Sequence, residues 1–230
     1  MSLSELTNQK ASTGLKTALK KGVLAAIALL GETDRFLGNP KVRIPLPDYL
    51  EDASKLLRNF GQDKRIYELV TSINRAAEAA VLMSKDVLVS AARAMNVTGA
   101  KNILQGEETS VTNFFAEKPA RRWTTKFIPV VTKATETHDP ANKYSKYNKY
   151  NGYNEFAGKG VGFGLVKKED ANLQQYVTGK SLDRFYLIIG EEEKKIRQDL
   201  EGTGSAILTR VFGAIRQAVC GFGMGAVRPT

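Results

Sequence analysis

Apolar residues recur through this chain at the spacing of a helix and nowhere at the spacing of a strand. Leu15, Leu19, Val23, Ile27 and Leu30 follow one another at steps of four or three, which places them on one face of a 3.6-residue turn. Ile66, Val70, Ile73, Ala77, Ala80, Ser84 and Val87 make a second such row, and Leu182, Phe185, Ile189, Ile196 and Leu200 a third. No run of strict apolar–polar alternation is long enough for a sheet. The pattern predicts an all-α fold, a single multi-helix domain of about eight or nine helices with long connectors.

Capping and breaking residues set the expected bounds. Helix one is expected from Ser12 or Thr13 to Gly31, taken as its C′ glycine. A connector follows over 31–47, with Gly38-Asn39-Pro40 and Ile44-Pro45-Leu46-Pro47. Pro47 is placed to open helix two, which stops at Gly61. Asp63 to Met95 reads as one long Ala-rich stretch whose small residues suit close helix–helix approach. Short helices are expected at 98–105 and 110–118. Pro119 then suits the first turn of a further helix, which Pro129 kinks or divides. Asp139-Pro140 opens a Tyr-rich helix to Tyr150. Asn172 caps a long helix to about Leu200. Gly202 and Gly204 end it, and a last helix covers 205–218. In domain terms, residues 1–218 read as one helical domain with a Gly-rich loop insertion at 151–170, and 219–230 as a flexible tail.

Composition narrows the class. A chain of 230 residues can bury a sizeable core without staples. Hydrophobic residues at 42% and charged residues at 25% exclude a disordered, collagen-like or integral-membrane chain. A single cysteine, Cys220, excludes an internal disulfide framework and a cysteine zinc site, and a single histidine, His138, excludes a multi-histidine metal site. No cofactor is expected. His138 sits in the turn before Asp139-Pro140 and reads as a surface or capping residue. Cys220, in the Gly-rich tail, reads as an ordinary thiol. Lys20-Lys21 before the apolar 22–31 run imitates a signal peptide. The leading segment is too long for one, no small-x-small cleavage site follows, and the run is too short to span a bilayer. The first 34 residues hold no arginine, against a transit peptide.

The net charge of +10 is uneven. Residues 118–168 hold 11 basic and 3 acidic side chains, a net +8, and 8 of the 19 aromatics. Lys118, Arg121, Arg122 and Lys126 begin this segment; Lys159, Lys167 and Lys168 end it. Between them Lys143, Lys146 and Lys149 alternate with Tyr144, Tyr147 and Tyr150 at three-residue steps. On a helix these rows wind as adjacent ridges. Lysines attract an anion, and tyrosines anchor a protein interface or stack on bases. The plain alternative packs Tyr144 and Tyr147 on the core while the lysines snorkel. The glycines at every second position over 158–164 could present N–H groups to a phosphate. They lack the strand and helix of a P-loop or dinucleotide site, so the segment reads as a loop.

A polar set interrupts the apolar rows: Asn74, Arg75 and Glu78 in one, Glu192, Glu193 and Arg197 in another. Glu192 and Glu193 fall where the third stripe would continue, so at least one is expected to face inward. A buried carboxylate needs a cation and further hydrogen bonds, and Arg75 and Arg197 are the expected suppliers. Paired carboxylates can do acid–base work, but no nucleophile, histidine or ligand set accompanies these. A structural ion-pair network is the favoured reading, ahead of a ligand pocket near Arg75 and Glu192 and of catalysis.

Several of these residues also carry a resemblance. Gly38-Asn39-Pro40 with Val42-Arg43-Ile44-Pro45-Leu46-Pro47 resembles the opening of the bacterial domain-of-unknown-function family 4197. So do Ile73-Asn74-Arg75-Ala76-Ala77-Glu78, Tyr176-Val177-Thr178, Leu182-Asp183 and Glu191-Glu192-Glu193-Lys194-Lys195-Ile196-Arg197, in matching order over about residues 4–213. The resemblance implies an all-helical single domain, in bacteria exported behind a signal peptide or lipoprotein signal, and implies no activity. The Tyr/Lys/Gly segment near 143–168 and the tail beyond Gly213 differ from the family pattern. Met1 falls almost where the family's mature domain begins. The expected location is therefore the cytoplasm or a cytoplasmic assembly, with the periplasm as the alternative if an export signal was removed.

Together these features lead to an expected function: a non-enzymatic basic helical scaffold that docks on an acidic protein surface, such as a filament lattice or large complex. The alternatives are a small-ligand or lipid carrier and a nucleic-acid-associated protein, and a membrane surface ranks lower among partners.

Overall fold

The computed structural model describes residues 3–59, 61, 63–117, 127–134 and 172–222. These residues are all helical or irregular, with nine helices and no strand among them. In chain order they are α1 (Asn8–Leu30), α2 (Asp48–Asn59), α3 (Asp63–Met83), α4 (Lys85–Ala94), α5 (Ala100–Leu104), α6 (Ser110–Glu117), α7 (127–134), α8 (Leu173–Gln198) and α9 (Ala206–Phe222). The all-α expectation holds. The Tyr-rich helix, the Gly-rich loop, His138 and the helix start at Pro119 lie outside the described residues.

Backbone contacts gather the described residues into two compact units. One takes those of Met1–Ala26, Asp86–Pro119 and Tyr186–Thr230; the other takes those of Ile27–Lys85 and Ala120–Phe185. Each unit combines early and late stretches of sequence, and divisions fall inside α1, α4 and α8. Neither unit can be cut out as one continuous segment.

The expected apolar rows form the core, with instructive departures. Leu15, Leu19, Val23, Ile27 and Leu30 are all buried along α1. That helix starts well before Ser12, because Thr7 caps it: its Oγ1 accepts the Lys10 N–H at 3.2 Å. Thr13 instead turns its hydroxyl back to the Gln9 carbonyl, at 2.9 Å, and so serves the helix interior. Gly31 does follow the helix, but its backbone is not left-handed. It is small because a Cβ there would meet the Leu82 side chain and the Ile27 carbonyl.

The expected single helix over 63–95 is broken at Ser84 into α3 and α4. The break resets the row. Ile66, Val70, Ile73, Ala77, Ala80 and Ser84 are buried, but Val87 is 36% exposed and Leu88 takes the inward position at 1%. Pro129 lies within the described helical residues 127–134. Asn172 caps α8 through its side chain, which accepts the Gln175 N–H at 2.9 Å. That helix stops at Gln198, two residues short of the expected end, and Leu200 is only half-buried. Gly204, with φ 62°, turns the chain before α9. The last helix runs to Phe222, four residues beyond its expected end at Ala218, and so includes Cys220.

In the first unit α1 and α9 approach closely at Gly14, where a Cβ would lie 2.7–2.9 Å from the side-chain carbons of Val211. A valine is stiff at χ1 and cannot swing away. Phe115 of α6 meets Tyr186 of α8 edge to face, with centroids 5.9 Å apart at 82°. In the second unit α2 packs against α3.

Gly14→Ala gains about 1 kcal/mol of helix propensity, but the overpacking against Val211 costs about 1–3 kcal/mol. We expect urea unfolding to show a net loss in the parent. The same change should become stabilising in a Val211→Ala background, which removes the clashing methyls.

Candidate functional site

The polar set resolves into two nodes, one within each unit. In the second unit, Asn74 and Glu78 of α3 are one turn apart and point at the 31–47 connector. Asn74 Oδ1 accepts the Ile44 N–H at 2.9 Å, while its Nδ2 donates to the Ile44 carbonyl at 2.9 Å and to its own helix at Val70. A side-chain amide thereby pairs with one residue's backbone as a neighbouring strand would. Glu78 Oε1 accepts the Phe36 N–H at 3.0 Å, and Oε2 accepts from Arg75 Nη1 at 2.8 Å. Arg75 also bonds the exposed Asp34, whose backbone is left-handed at φ 65°. The hydrogen bond to Glu78 raises the Arg75 guanidinium above its ordinary value; partial burial opposes this, and Asp34 adds to it. Between these anchors Phe36, Val42, Ile44 and Leu46 are buried. The connector is therefore a packed part of the unit.

The other node lies in the first unit. Glu193 occupies the stripe position between Ile189 and Ile196 and is 3% exposed. Its carboxylate meets the start of α6. Oε1 accepts the Val111 N–H at 3.1 Å, and Oε2 accepts both the Thr112 N–H at 2.8 Å and the Thr112 hydroxyl at 2.7 Å. These N–H groups are among those that a helix leaves unpaired at its first turn. Glu193 therefore acts as an N-cap supplied from another helix, and its negative charge suits that helix end. Arg197, one turn on, donates to Glu193 Oε1 from Nε at 3.1 Å and from Nη2 at 2.8 Å. Its remaining donors reach the Leu104 carbonyl at the end of α5 and the Ser110 hydroxyl, both at 2.9 Å. The guanidinium lies 5.1 Å from the centre of the Phe212 ring. One ion pair thus satisfies the end of α5 and the start of α6 together.

Against the sequence reading, the assignment of Arg75 and the membership of the set change, while the expected inward-facing carboxylate is found at Glu193. Arg75 serves Glu78 and Asp34, whereas the sequence reading assigned it to the Glu192–Glu193 pair; the 192–193 carboxylates lie in the other unit. Of that pair, Glu193 is the buried member, while Glu192 is half-buried and has Lys195 at 3.6 Å. Asp34, Ser110 and Thr112 belong to the nodes and were not singled out. Ser110 and Thr112 signal only a helix start in the sequence, and the remaining acceptors and donors are backbone groups with no residue signature. The partner-contact candidates between Lys118 and Lys168 lie outside the described residues. Among the described residues no group of three or more His, Cys, Asp or Glu is placed to hold a metal ion, and no helix is long and apolar enough to cross a membrane.

Both oxygens of Glu193 and both oxygens of Glu78 are engaged by donors. Such carboxylates hold backbone in place; an incoming proton or ligand would have to displace an existing bond. Glu193→Ala should cost about 3–5 kcal/mol, because it strands Arg197 and two helix N–H groups. Asn74→Ala should cost less, about 1–3 kcal/mol, and should expose the 31–47 segment to proteolysis before the rest of the chain. Chemical denaturation and limited proteolysis read the two effects separately.

Comparison with known proteins adds the family and nothing finer. No curated protein and no solved structure matches the chain. A family model, described as protein of unknown function (DUF4197), matches residues 5–213 and so takes in both polar nodes. With nearly the whole chain inside that match, the protein belongs to the DUF4197 family.

Proposed function

We propose that this protein is a non-enzymatic basic helical binding protein that docks on an acidic protein surface as a component of a larger assembly. The observation that carries this reading is the charge distribution: a net +8 in residues 118–168 against +2 for all the rest. Such a segment steers an anionic partner and raises its encounter rate. The interleaved tyrosines favour protein over nucleic acid, since tyrosine offers a large amphipathic contact at little entropic cost. The buried carboxylates of the two nodes are spent on backbone N–H groups and guanidinium ions, which favours a structural over a catalytic use of them.

The protein should run in native extract as a large particle that loses it as salt rises, because screening shortens electrostatic reach to a few ångströms at high ionic strength. Changing Lys143, Lys146 and Lys149 to Glu should release it at low salt while leaving its circular dichroism unchanged. A particle that survives nuclease treatment indicates a protein partner, and one that is lost indicates nucleic acid. A salt-indifferent species at monomer size would overturn the proposal.

A further inference from the structure

In the first unit, a cavity of about 320 Å³ opens beside the C-terminal turns of α8. Lys21 of α1, Glu192, Lys195 and Ile196 of α8, and Asp199 and Thr203 of the following turn line it. The volume suits a small metabolite and is too small for a lipid or a dinucleotide.

The charges around this space are incompletely matched. Lys21 is half-buried, and its ammonium donates to the Thr203 carbonyl at 2.9 Å. An ammonium carries three donors, and no carboxylate among the described residues pairs with this one. Glu192 has a side chain only 18% exposed and Lys195 at 3.6 Å, beyond hydrogen-bond length. Lys195 is itself 73% exposed and stands toward solvent. A cation and an anion therefore line one cavity without pairing with each other. Each is partly removed from water and keeps hydrogen-bonding capacity beyond its present partner, Thr203 for Lys21 and the exposed Lys195 for Glu192.

The wall that holds Lys21 is fixed in advance. Asp199 Oδ1 accepts the Gly202 N–H at 2.9 Å, and a side chain at Gly202 would run into that carboxylate. Thr203 Oγ1 donates to the Leu200 carbonyl at 2.7 Å and accepts the Ser205 N–H at 3.2 Å. Ile196, buried beneath, adds an apolar contact.

We propose that this cavity binds a small zwitterion of the α-amino acid class, with its carboxylate on Lys21 and its ammonium on Glu192. The test is amide chemical-shift titration of the full chain with L-alanine, L-serine and L-glutamate, each beside its N-acetyl and carboxamide derivatives. Saturable shifts are expected at residues 21, 192–199 and 203. Capping either charged end of the ligand should weaken binding about tenfold or more. Lys21→Met and Glu192→Gln should each weaken it by a similar factor; should the lysine variant fail to fold, the isosteric glutamine variant decides. The proposal is overturned by the absence of saturable shifts at millimolar amino acid. It is equally overturned by capped ligands that bind as well as free ones, or by binding indifferent to Glu192→Gln.

Discussion

A negative charge occupies the one place on the α8 stripe where an apolar side chain would have packed. Burying Glu193 is unfavourable by several kcal/mol until its lone pairs are filled, and they are filled by the first-turn N–H groups of α6 and by Arg197. Those N–H groups are themselves unfavourable to bury unpaired. The two deficits cancel only when α6 sits at one position along α8. An apolar residue at 193 would let α6 slide, because hydrophobic contact is not directional. The ion pair sets register, and the apolar row around it supplies most of the binding energy.

The second unit applies the same logic to a loop. A 17-residue connector carries backbone groups that need partners once its apolar side chains are buried. Asn74 and Glu78 provide them from a helix face, spaced one turn apart to match Ile44 and Phe36. Arg75 closes the arrangement by holding Glu78 in place and reaching Asp34 across the connector. In both nodes the buried carboxylate is used inward, on backbone N–H groups and a guanidinium.

What could be read in advance follows from which physical signal each feature leaves. The α1 row was legible because five side chains share one face and nothing interrupts them. Its start was not, because Thr7 and Thr13 have the same chemistry and only geometry decides which hydroxyl caps and which bonds back to Gln9. The Val87 position was lost when the helix broke at Ser84, since a single residue out of register rotates all that follow by about 100°. Glu193 could be noticed as a charge on an apolar stripe, but its receptor could not. The amides of Val111 and Thr112 lie 82 and 81 residues earlier and look like any others in the sequence. The family, by contrast, was legible from short strings in matching order, such as Gly38-Asn39-Pro40 and Ile73-Asn74-Arg75-Ala76-Ala77-Glu78, which need no knowledge of their contacts.

The grip of Asn74 on Ile44 also changes what the connector is in time. Amides in loops ordinarily exchange with solvent through small local openings. Here the Ile44 and Phe36 N–H groups end on side chains of α3, buried on both sides. Their release requires α3 to move or unwind, so their exchange is tied to the opening of a 21-residue helix. A stretch with no regular secondary structure thereby takes on the persistence of the helix beneath it and joins the same cooperative unfolding unit.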